Sequence, residues 1–424
     1  MTKQATCLQV SVGLLLIVLH YADVHHSLAR AESTHAHYVI SGGAIVQPLT
    51  TTAGNPERGE QIVLDRERGD CVVCHVLPLP NRQFHGTVGP PLDGVGDRYP
   101  VGVLRLRLVD SKAITPQSIM PAYHKVSGLV EVPTRLHGKP ILTAQEVEDV
   151  VAYLATLKSA PLESGQPDVP TSSPTEVSTS QSAPEQIPYS VENRRSGYTY
   201  LSVDNQQLQN DDFANPGMLW VERGRELWKT PDGDLQKSCT TCHAEAGPSM
   251  RGVRLRFPRF DQRQKKLINL EQQINRCRQE HMHASPYAYE SEPLLALTTL
   301  IAFQSRGLPL TIHIDDSTRP FFEAGRAFFT QRRGQLDLAC AHCHDQYAGR
   351  RLRGDIISQG QVNGFPIYRQ LWQTLGSAHR MFAWCNTAIR AEALLLGSDE
   401  YVNLELYMAW RARGLPVESP AIRR

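Results

Sequence analysis

Six of the nine cysteines fall in three Cys-x-x-Cys-His motifs: Cys71/Cys74/His75, Cys239/Cys242/His243 and Cys340/Cys343/His344. Two thiols three residues apart on a helix share a face, so both can form thioethers to one porphyrin, and the adjacent imidazole can ligate its iron. Zinc or redox Cys-x-x-Cys sites leave unexplained why a histidine follows every second cysteine. The motifs predict three covalently bound c-type haems, with His75, His243 and His344 as proximal ligands. Two further cysteines, Cys277 in INRCRQ and Cys385 in AWCNT, each lie between a haem motif and the apolar helix that follows. Cys385 is expected on the far side of the iron held by His344, at the place where the chemistry happens. A Cys277–Cys385 disulfide is the competing use of these two thiols.

The elements that hold these residues repeat. GRELWKTPDGDLQKSCTTCHA, starting at Gly224, matches GRAFFTQRRGQLDLACAHCHD, starting at Gly325, at an offset of 101 residues. LTTLIAFQSRGLP and LELYMAWRARGLP close the two copies with apolar residues at helical spacing, then Gly and Pro as stop signals. Cys277 and Cys385 take equivalent places in the repeat, which favours two axial thiolates near two irons over one disulfide. The halves span 190–310 and 311–424.

Residues 32–158 read as a smaller unit. CVVCH is followed by the Gly/Pro-rich loop VGPPLDGVGDRY, a helical pattern from Leu104 to Val109, SIMPAYHK, and LTAQEVEDVVAYLATLK with a Thr143/Glu146 capping box. This is the plan of a class I cytochrome c. Met120, in a polar loop beside Pro121, is expected as the distal ligand to the His75 iron, with His85 and His124 as rivals. Residues 159–189 are rich in Ser, Pro and Thr and predict a disordered tether. An apolar run from Leu8 to Leu19, followed by Ala29-Arg30-Ala31, reads as a signal peptide over 1–31 that would carry Cys7 away and export the chain to the periplasm. The fold class is thus all-α, with three cytochrome c-like domains. The 44 basic and 43 acidic residues nearly balance, so no global field points to nucleic acid, and no other stretch is long and apolar enough to embed the protein in a membrane.

LRLRLVD, IMPAYHKV and GKPILTAQEVEDVVAYLATL resemble SoxX, the monohaem subunit of the bacterial thiosulfate-oxidising SoxXA cytochromes. SCTTCH, LINLEQQINRCR, LACAHCHD, LRGDIISQGQ, GFPIYR and EYVNLELYMAWRARGLP resemble SoxA, its dihaem partner. The mature chain is therefore similar to a SoxX–SoxA fusion. The resemblance implies an L-cysteine S-thiosulfotransferase: thiosulfate is joined through a new S–S bond to a cysteine of the carrier SoxYZ, and electrons pass to a small cytochrome c acceptor. It also implies a persulfide on Cys385. A dianionic substrate needs fixed positive charge, for which Arg380 and Arg411 are the expected donors, ahead of Arg390 and Arg413. The family's basic residue four positions before the active cysteine is Met381 here. Competing readings are a plain electron-transfer cytochrome, a dihaem peroxidase fused to its donor, and a dehydrogenase coupling two thiosulfates to tetrathionate.

Overall fold

One helix crossing is built three times. Pro56–Leu64 packs on Ala144–Thr156, Met218–Lys229 on Glu292–Phe303, and Arg319–Thr330 on Asp399–Arg411. The first helix of each pair carries a glycine at the crossing: Gly59, Gly224 and Gly325. A Cβ on these would run into the carbonyls of Asp149, Ala296 and Asn403. Leaving the side chain out lets the two helix backbones touch. Around the three pairs lie three hydrophobic clusters, centred on residues such as Val63 and Val150, Val221 and Leu300, and Phe329 and Leu406. The computed structural model describes residues 37–79, 84–159 and 189–424. The leader read over 1–31 and residues 160–188 of the tether lie outside the described residues. Among those described, no helix is long and apolar enough to cross a membrane.

Caps set the helix starts. Thr143 and Glu146 form the expected box: Glu146 N–H donates to Thr143 Oγ1 at 3.3 Å and Thr143 N–H to Glu146 Oε2 at 2.8 Å. The chain is mostly helical but not all-α. Arg259–Asp261 pairs antiparallel with Lys266–Ile268, and Ile367–Arg369 with Thr374–Gly376; Ala421–Arg423 adds to Ile367–Arg369 in parallel. Strands of three residues are too short to leave a period-two pattern in the sequence. Each hairpin hands the chain to a cysteine-bearing helix. Asn269 caps Leu270–Cys277, accepting from Gln272 N–H at 3.0 Å, and Ser377 caps Ala378–Ala388, accepting from Arg380 N–H at 3.2 Å.

Two polar zones tie these parts together. Between the repeated halves, Glu405 is buried with His379 (3.1 Å), Asn269 (3.2 Å) and Arg254 (3.8 Å). Between residues 37–159 and the last half, main chain meets main chain: Thr87 N–H donates to Arg351 O at 2.9 Å, and Arg353 N–H to Val73 O at 3.0 Å. Asp70 pairs with Arg353, Lys112 with Asp337 at 3.1 Å, and Glu131 with Arg333 at 2.7 Å.

Candidate haem centres

Where residues 37–159 meet the last half lies a cavity of about 1340 Å³. Cys71, Cys74 and His75 line one side of it, Cys340, Cys343 and His344 the other. Cys74 and Cys343 are near enough for their charges to couple. Cys385 and Met120 also lie on its wall.

Each of the two histidines is oriented by the same device. Nδ1–H of His75 donates to Pro90 O at 2.6 Å, and Nδ1–H of His344 to Ser358 O at 2.8 Å. A carbonyl can only accept, so the proton sits on Nδ1 and the Nε2 lone pair is left for a metal. Gly89 and Gly360 lie flat against the two imidazoles; a Cβ on Gly360 would come within 2.8 Å of the His344 ring, and one on Gly89 would overlap His75. Burial holds both imidazoles below their ordinary range, in the neutral form that ligates. Cavity, thiol pair and tautomer-fixed imidazole on each side fit covalently attached haem.

Burial also pushes the Cys385 thiol up to about 12, with Cys340 and Cys343 adding to the effect and Arg369 opposing it. A thiolate there needs a cation beside it, and iron would supply one. Met120 is set by Ser111 Oγ, which donates to its carbonyl at 2.7 Å. Its rivals do not line the cavity: His124 is fully buried with Nδ1 on Leu142 O at 2.9 Å, and His85 Nδ1 accepts from Leu77 N–H at 3.3 Å.

The basic residues fall out only partly as the sequence suggests: Arg390 lines the cavity. Arg380 lies over Trp372 at 4.2 Å and 3.7 Å from Glu290; Arg411 pairs with Asp345 at 2.7 Å. Neither lines the cavity. Arg369 does, and its guanidinium acts on the Cys385 thiol. Its Nη1 lies 3.6 Å from Met381 Sδ, its Nε donates to Arg424 O at 2.9 Å, and it stacks over Trp384 at 4.0 Å. It reaches the site from the hairpin strand Ile367–Arg369; it lies nearer to Cys385 along the chain than Arg411 does, but no helical period links it to that cysteine. The signal present was GFPIYR itself.

The remaining motif is arranged in the open. Cys242 and His243 are exposed, and Cys239 and Cys277 are half-buried. Cys277 lies close enough to raise the Cys239 thiol, though burial contributes more. Gln273 Nε2 donates to Cys277 Sγ at 3.2 Å, and His243 faces Trp228 with ring centres 5.9 Å apart. No disulfide joins Cys277 to Cys385.

Two family profiles match: "SoxA/TsdA, cytochrome c domain" over residues 223–310 and "Cytochrome c" over residues 56–158. The chain is 41% identical over 247 residues to the L-cysteine S-thiosulfotransferase subunit SoxA of Pseudaminobacter salicylatoxidans, covering 58% of this chain and 86% of that one. With the same subunit from Paracoccus pantotrophus it shares 36% identity over 264 residues, 62% of this chain and 90% of the relative. Among solved structures, SoxXA from P. pantotrophus aligns with a TM-score of 0.53 at 37% identity, over 55% of this chain and 87% of that chain. Relatives of this identity, matched over most of their length, settle the family: the chain belongs to the SoxA family of L-cysteine S-thiosulfotransferase subunits and carries a cytochrome c domain on the same polypeptide.

Proposed function

We propose that this chain is a periplasmic trihaem cytochrome that conjugates thiosulfate to a cysteine of a SoxYZ-type carrier. The observation that carries the reading is Cys385, on the wall of the cavity shared by two haem motifs and under the influence of a guanidinium. His75 with Met120, His243 with Cys277, and His344 with Cys385 would hold three haems, attached through Cys71/Cys74, Cys239/Cys242 and Cys340/Cys343. Bound there, haem iron supplies one-electron acceptors, more reducing under thiolate than under His/Met ligation.

The chain's own residues do the rest. Arg369 holds the sulfonate end of thiosulfate by charge-assisted hydrogen bonds and aims its outer sulfur at Cys385. Cys385, carrying one extra sulfur as a persulfide, offers a soft atom to receive and pass that sulfur. Overall, the carrier thiol and the outer sulfur of thiosulfate form one S–S bond, the thiol proton leaves, and two electrons are withdrawn. Those electrons leave past the His75 side of the cavity to a small cytochrome c. Arg380 and Arg411 act on the site through Trp372 and Asp345, not by touching substrate.

The test is turnover of thiosulfate with and without a thiol-bearing carrier protein, with products identified by mass. A thiosulfonate adduct on the carrier is expected. Tetrathionate formed without any carrier would replace this reading with a thiosulfate dehydrogenase.

A further inference from the structure

Arg333 is the largest fully buried side chain among the described residues. It sits 3.5 Å from the ring centre of Phe328, a cavity-wall residue, and its charge reaches Cys340. Nη2–H donates to Phe328 O at 3.0 Å. Among the described residues, the one carboxylate within ion-pair distance is Glu131, at 2.7 Å, from the far side of the interface. The backbone around Glu131 is itself pinned across that interface. Glu131 adopts a left-handed conformation, φ 52°, three residues after Gly128 at φ 71°. Its carbonyl accepts from Glu392 N–H at 2.8 Å, and the carbonyl of Val130 accepts from Gly334 N–H at 2.7 Å. A non-glycine residue in that region is strained and persists only where its surroundings hold it. The repeat marks the feature as particular to this half: the residue equivalent to Arg333 is Asp232, which pairs within its own half with Arg278 at 2.7 Å.

We propose that Glu131 is a counter-ion through which the cytochrome c domain, when seated, lowers the reduction potential of the Cys340/Cys343 centre. The proposal rests on haem being bound there as described above. A carboxylate beside the site stabilises the more positive, oxidised state; withdrawing it leaves a buried guanidinium uncompensated and favours reduction. Seating the domain therefore makes the catalytic centre a better donor when its acceptor is in place. Reciprocity follows: if seating favours the oxidised centre, the oxidised centre favours seating.

The test uses the full-length, haem-loaded chain. Glu131→Gln keeps the shape and removes the charge. Spectropotentiometry is expected to show a higher midpoint potential at the His344 centre and an unchanged one at the His243 centre, with small-angle scattering as compact as wild type at low salt. Thr87→Val, which deletes a neutral bond to Arg351 N–H across the same interface (3.1 Å), leaves the potential unmoved. In wild type, more salt is needed to extend the oxidised chain than the reduced one. An unmoved potential in Glu131→Gln, an equal shift in Thr87→Val, or identical salt profiles in the two redox states would overturn the coupling. Loss of thiosulfate transfer with the potential shift intact would count against the proposed function and leave this inference standing.

Discussion

An offset of 108 residues relates Cys277 to Cys385, and the same offset relates Asp261 to Arg369, Gln273 to Met381 and Arg276 to Trp384. In the first half these positions close on themselves. Asp261 pairs with Arg276 and is held down to about 2, first by the Gln264 N–H and then by that arginine, while Gln273 caps the cysteine sulfur. In the second half the carboxylate is gone, an arginine stands in its place on a tryptophan, and a thioether replaces the amide. Among the described residues Arg369 has no side-chain carboxylate within ion-pair distance. One framework thus carries a satisfied polar cap over one cysteine and, beside the other, a cation with no acidic side chain close enough for an ion pair, though Asp355 acts on it from further off. The second arrangement suits admitting an anion, and the first does not.

Four experiments break or sharpen that contrast. Cys385→Ser is expected to lower thiosulfate turnover by roughly a thousandfold or more and to alter one haem spectrum, while Cys277→Ser alters a different one and leaves turnover largely intact; equal losses would erase the distinction. Arg369→Gln should lower kcat/KM by about 10–100-fold, the worth of a charge-assisted hydrogen bond, with Lys in its place recovering part. Asp261→Asn should leave kinetics unmoved, and a matching defect there would show that the hairpin matters only for folding. Gly224→Ala and Gly325→Ala each force a methyl into a helix crossing and should cost about 1–3 kcal/mol in thermal unfolding; near-equal costs would mark the framework as common to both halves. The smallest effect concerns Glu271, which burial first and then Glu405 push up to about 7. Its folded pKa lies above its unfolded one, so its contribution is full at pH 4 and is lost as pH rises toward 7 and beyond. Glu271→Gln should match wild type in stability at pH 4 and exceed it at pH 8, as read by denaturant midpoints.

The Cys-x-x-Cys-His motifs, the repeat, the capping box of the Ala144–Thr156 helix and the loop bearing Met120 were legible in the sequence, because covalent spacing and helical period are local signals. The hairpins escaped it because three-residue strands have no measurable period. Arg380 and Arg411 were favoured for closeness along the chain, yet Glu290 and Asp345 engage them. Arg369 is brought in by a turn at Gln373, whose φ of 52° closes the hairpin. The contacts of the interface between the two parts were not legible, because Asp70–Arg353 and Glu131–Arg333 join residues hundreds of positions apart.

The wall of the Cys385 cavity is completed by Cys71, Cys74 and Met120 from the other part of the same polypeptide. Closing that wall is a first-order event, with a rate indifferent to how thinly the protein is spread. A two-subunit version would fall apart on dilution once its concentration dropped below the dissociation constant. Here the two sides of the chamber are made in fixed one-to-one proportion.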